Sequence, residues 1–79
     1  MRVTPLFLAM SLALTVPAAA RPLTIEEVRF MAFDKGIVEI EEVELDDGIW
    51  EVEGTDANGH EIEMKVEALS GRIIKLKRD

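Results

Sequence analysis

Few residues in this chain could do chemistry. His60 is the single imidazole, set beside Gly59, and neither Cys nor Tyr occurs anywhere. A nucleophile needs a base within hydrogen-bond reach, and a transition-metal site needs several converging nitrogen or sulfur donors. One His without such company builds neither, so His60 is expected to flank a turn. Ser70 stands in a Ser-Gly turn with no base placed near it by the sequence. What the chain has in number is carboxylate: sixteen Asp and Glu against nine Lys and Arg, a net charge of −7. Carboxylates at alternate positions on neighbouring strands could face a basic protein patch, a polyamine or a divalent cation. No loop has the ligand spacing of a calcium site, so cation binding through them would be weak. No catalytic residue, cofactor or metal site is expected, and the chain is read as not an enzyme.

Which carboxylates meet depends on the elements that carry them. The first twenty residues are read as an export signal and not as part of the fold. Arg2 supplies a positive start, Leu6 to Val16 is an uncharged apolar run of 11 residues, and Ala18-Ala19-Ala20 fits cleavage after Ala20. That run is shorter than the roughly 20 residues a membrane-spanning helix needs, and retention as an anchor is the alternative reading. With no Cys near the cleavage point, lipid attachment there is excluded. Residues 21–79 would then form one domain of 59 residues. They hold eight basic residues against all sixteen acidic ones, a formal charge of −8. Such a balance disfavours nucleic acid and anionic lipid, both of which attract basic patches. A domain this small buries only about 60% of its unfolded surface, and no disulfide supports it.

The spacing predicts a helix over about 24–35. Thr24 and Glu27 have capping-box spacing, and Leu23 and Val28 occupy the positions of a hydrophobic staple. Ile25, Val28, Met31 and Ala32 form the inner stripe. Lys35 and Gly36 end it, with Gly36 as the left-handed residue. Phe30 and Phe33 widen the stripe and cannot both point inward, so one of them is expected on the surface as part of a partner site.

Everything after Gly36 reads as strand and turn. Directly paired residues share a face, so each turn must set apolar residues against apolar ones. Asp47-Gly48 as a two-residue turn pairs Leu45 with Trp50 and Val43 with Val52. A three-residue loop at Ala57-Asn58-Gly59 pairs Val52 with Met64 and Trp50 with Val66. A similar loop at Leu69-Ser70-Gly71 pairs Val66 with Ile74 and Met64 with Leu76. The inward face is then Val43, Leu45, Trp50, Val52, Gly54, Ile62, Met64, Val66, Ala68, Ile74 and Leu76, with the helix over it. Trp50 is read as the main core residue. Val38 and Ile40 have the opposite parity to Val43 and Leu45, which a bulge near Glu41-Glu42, or a strand beginning there, would reconcile. The fold class is α+β: one N-terminal helix packed on a four-stranded antiparallel meander.

The same registers compose an acidic outer face. Glu44 opposes Glu51, Glu42 opposes Glu53, and Glu53 opposes Glu63. Glu51 also gains Lys65, and Lys77 stands opposite Glu63. Like charges directly across a strand pair are destabilising, so the crowded carboxyls should have raised pKa values. Glu42, Glu44, Glu51, Glu53 and Glu63, together with Phe30 and Phe33, are the candidate partner surface. The plainer reading of the carboxylates is a hydrated face that keeps the domain soluble.

The helix ending at Lys35-Gly36, the double hairpin "ELDDGIWEVEGTDANGHEIEMKVEALSGRIIKL" and the closing Ser70-Gly71 turn together resemble the PepSY domain, over about residues 23–78. PepSY domains occur in the propeptides of thermolysin-like metallopeptidases and in small bacterial envelope proteins. The resemblance implies a non-catalytic, protein-binding module that modulates or inhibits peptidase activity in the periplasm or outside the cell. Its partner would be an extracytoplasmic peptidase or another envelope protein, with no membrane contact once the signal is cleaved. The alternative is an acidic envelope protein that binds cations or small cationic ligands through its outer sheet face.

Overall fold

The computed structural model describes residues 21–79; the segment read as an export signal lies outside them. Helix α1 spans Ile25–Asp34, and its start is the expected capping box. The Thr24 hydroxyl accepts the Glu27 N–H at 3.2 Å, and the Glu27 carboxylate accepts the Thr24 N–H at 2.8 Å. Its end closes two of the last carbonyls: Gly36 N–H donates to Phe33 O and Ile37 N–H to Ala32 O, each at 3.1 Å. Gly36 sits at φ +101°, as this left-handed closure requires.

Four strands follow: β1 (Glu39–Asp46), β2 (Ile49–Thr55), β3 (Glu61–Glu67) and β4 (Ile73–Arg78). They form one antiparallel sheet in the order β1-β2-β3-β4, so the fold is α+β. Asp47 and Gly48 both have positive φ, the signature of a two-residue I′ turn, and Leu45 pairs with Trp50 and Val43 with Val52. The second hairpin also has the expected register, Val52 with Met64 and Trp50 with Val66. The misfitting parity at the start of β1 is resolved by a bulge between Ile40 and Glu42, which turns Ile40 toward Gly54.

The third hairpin departs from expectation. Val66 pairs with Ile73, not Ile74, while Met64 keeps Leu76 as its partner. The loop is one residue longer than expected because Ala68 is taken by other partners. Its N–H donates to Gly48 O at 2.9 Å, and its carbonyl accepts the Leu23 N–H at 2.8 Å. Glu67 therefore closes the turn onto Arg72, and a bulge at Ile74 restores the register.

The core is Val28 and Ala32 of α1, Ile37, and Trp50, Val52, Ile62, Met64, Val66 and Ala68. Full burial of side chains such as Val52 or Met64 stabilises by about 1.5–3 kcal/mol each. Trp50 is buried as expected, and its indole Nε1 donates to Leu23 O at 3.0 Å. Three members of the expected inward face are not covered: Leu45, Ile74 and Leu76 are 51%, 43% and 46% exposed. Ile74 is the extra residue of the bulge, and Ile73 takes its place opposite Val66 and packs on the core. For Leu45 and Leu76 the reason is width. A helix about 10 Å across cannot roof four strands spaced about 4.8 Å apart, so the edge strands extend beyond it.

Candidate functional site

The outer sheet face carries two rows of side chains that cross every strand. One runs Glu42, Glu53, Glu63, Lys77, and the other Glu44, Glu51, Lys65, Lys75, each member paired with the next. Both rows therefore pass from carboxylates at β1 to ammonium groups at β4. Lys75 Nζ reaches Glu63 at 3.2 Å, and Lys65 Nζ lies 3.9 Å from Glu51. Glu53 has no such relief. Glu42 beside it, partial burial, and then Glu63, Glu61 and Glu41 push its pKa above the ordinary carboxylate value. Among the described residues, no group of three or more His, Cys, Asp or Glu side chains converges well enough to hold a metal ion.

Phe30 and Phe33 are both exposed, at 75% and 52%, where one was expected outside. Val28 and Ala32 already fill the contact with the sheet, which leaves no inward room for either ring. They stand on the free side of α1 with Glu26 and Arg29, lining a shallow hollow. The five glutamates thus form one surface of the sheet, whereas the two phenylalanines belong to the helix layer on the sheet's other face. The structure does not bring the two groups together.

Sequence reasoning passed over the most constrained polar group, Asp56. This buried carboxylate accepts the N–H groups of Asn58 and His60 at 2.9 Å each, and Arg78 Nη1 at 2.6 Å. The His60 amide, then Arg78 and Asn58, hold its pKa at about 2 against the opposing effect of burial. His60 Nδ1 lies 3.4 Å from the same carboxylate, which makes His60 part of a turn clasp. Arg78 also donates to Lys35 O at 3.3 Å, tying the end of β4 to the end of the helix. The Asp two residues before Asn58 is the spacing of an Asx turn, a signal that could have found the turn though not Arg78. Ser70 is likewise structural, donating to Glu67 at 2.6 Å and accepting from Arg72 N–H.

A helix packed on a four-stranded antiparallel meander, with its internal polar groups devoted to caps and turns, defines a small α+β domain. The chain belongs to the peptidase propeptide and YPEB domain family (PepSY), which it matches over residues 4–77. That span includes most of the stretch read as an export signal. No curated protein and no solved structure matches the chain. No helix among the described residues is long and apolar enough to cross a membrane.

Proposed function

We propose that this domain is a non-catalytic protein-binding module that modulates, by inhibition, a peptidase outside the cytoplasm. Phe30 and Phe33 on the helix make the contact, with the acidic row of Glu42, Glu44, Glu51, Glu53 and Glu63 steering a basic partner. The observation that carries this reading is the pair of large aromatic rings held open to water on a well-capped helix. Exposed aromatic side chains on a rigid element are what protein interfaces use as anchors. Family membership supports the peptidase as the class of partner.

The test is capture from the cell envelope followed by an activity assay. The protein should retain an envelope peptidase and slow its cleavage of a peptide substrate. Phe30→Ser with Phe33→Ser should abolish both effects while leaving the melting temperature near that of the parent, because neither ring is buried. Glu51→Lys with Glu53→Lys should weaken capture in a salt-dependent way. Capture and inhibition unchanged by all four substitutions would refute the assignment of the surface, and no effect on any envelope peptidase would refute the function. Export belongs to the same reading: N-terminal sequencing of the envelope form should begin at Arg21.

A further inference from the structure

We propose that the free edge of β4, from Lys75 to Arg78, accepts an extended segment of a partner protein as a fifth strand, and that this segment alternates carboxylates with apolar side chains. The inference rests on the reading of the domain as a protein-binding module and gives it a second contact, made by the sheet edge and adjoining Phe30 of the helix.

Three features of the edge converge on that occupant. The first is backbone. β4 is the last strand of the sheet, and Asp79 N–H donates to Glu61 O at 2.9 Å. Bonding directions alternate along an antiparallel strand, so Lys77 and Lys75 turn their backbone groups toward β3. Leu76 and Arg78 turn theirs outward, unpaired among the described residues. The bulge at Ile74 ends the regular edge on the other side and keeps the site short.

The second feature is apolar. Leu76 shares the inner face with its partner Met64, yet it stands 46% exposed beside Ile74 because the helix does not reach this edge. Next to it, Phe30, Met31, Asp34, Lys35 and Ile73 line an open groove of about 430 Å³ between helix and strand. An added strand would place every second side chain over this surface, so those residues must be apolar.

The third is charge. Lys75 and Lys77 end the two outer rows, and whatever lies directly across from them on a fifth strand faces an ammonium group. Carboxylates at those alternate positions continue the rows favourably, and lysines there would be repelled. The same logic disfavours closed dimers of this chain. Pairing β4 with β4 sets lysines against lysines, and pairing β1 with β1 sets Glu42 and Glu44 against themselves. Pairing β1 with β4 satisfies the charges but makes an open-ended assembly of a strongly acidic chain.

The protein is titrated with a fluorescent peptide of sequence Glu-Val-Glu-Leu-Glu-Val and with its Lys-Val-Lys-Leu-Lys-Val counterpart, read by anisotropy and by amide exchange. The acidic peptide should bind at least about tenfold more tightly. It should also slow exchange at the Leu76 and Arg78 amides. Methylating the peptide's pairing amides should remove binding, and Lys75→Glu with Lys77→Glu should reverse the preference between the two peptides. Equal binding of both peptides, protection confined to other residues, or no binding at all would overturn the proposal. So would concentration-dependent assembly of the chain alone that Glu42→Lys with Glu44→Lys abolishes, since the occupant would then be a second copy. Peptidase capture that persists while the peptides fail would sink this inference alone, and the converse would sink only the peptidase role.

Discussion

Replacing Gly54 by Ala should reverse the usual sign of that substitution. Gly54 lies in the middle of β2, buried, and its φ is not in the left-handed region. On backbone grounds Ala is welcome there, since Gly inside a strand is destabilising by roughly 0.5–1 kcal/mol relative to Ala. Space decides otherwise. A Cβ added at this position would fall on the Glu39 carbonyl oxygen and within 2.6 Å of Ile37 Cγ2. Overpacking of a core by one carbon costs about 1–3 kcal/mol, and the upper end applies because a backbone carbonyl cannot change rotamer. The balance is a loss of about 2 kcal/mol, out of roughly 3–9 kcal/mol for a domain of this size. For so few residues that lowers the melting temperature by about 8–16 °C. Urea unfolding followed by Trp50 fluorescence and by circular dichroism measures both quantities. Adding Ile37→Ala should give no rescue, because the carbonyl remains in place. A Gly54→Ala protein at least as stable as the parent would refute the close approach of the two segments, whereas a double variant more stable than Gly54→Ala alone would place the dominant clash on Ile37 and not on the carbonyl.

Other outcomes follow from the same contacts. Trp50→Phe removes the donor to Leu23 O and should cost about 1–3 kcal/mol in urea unfolding monitored by circular dichroism. Glu53→Gln should raise the melting temperature at pH 7, and the gain should shrink as the pH falls. The raised pKa of Glu53 means that its penalty exists only while it is ionised. Added salt should mimic the gain. Asp56 and Glu27, both held at about 2, act in the opposite direction. Their stabilisation is complete above the ordinary carboxylate range and is lost as the pH falls from about 4.5 toward 2. Melting temperature should therefore rise from neutral to mildly acidic pH and collapse below about 4; a steady fall from pH 7 to 5 contradicts this. Asp56→Asn should lower the melting temperature at pH 7 and flatten the acid limb, since the amide can no longer hold Arg78 as an ion pair.

The parts of the fold legible in the sequence are those decided within a few residues. Thr24 and Glu27 close on each other across one helical turn, and Asp47-Gly48 and Ala57-Asn58-Gly59 each impose a register on the strands beside them. Parity then propagates that register, which is why the rows joining Glu42 to Glu63 and Glu44 to Lys65 are legible in the sequence. The rise in the Glu53 pKa follows from the same rows. The candidate surface was legible only in part, because its residues could be placed on a face while the distance between the acidic row and the phenylalanines could not.

Tertiary structure alone decided whatever depended on partners far apart in the chain. Ala68 is held by Leu23 and Gly48, and that hold lengthens the last turn and shifts Val66 from Ile74 to Ile73. Arg78 finds Asp56 across 22 positions and Lys35 across 43. Ile37 is buried against Gly54 although neither residue announces the other. The uncovered edge at Leu76 follows from comparing the breadth of one helix with that of four strands, a comparison no local pattern contains. Turn chemistry and alternation are short-range and leave their mark residue by residue. Coverage, clasping and close approach are competitions for space among distant segments, and they are settled only when those segments meet.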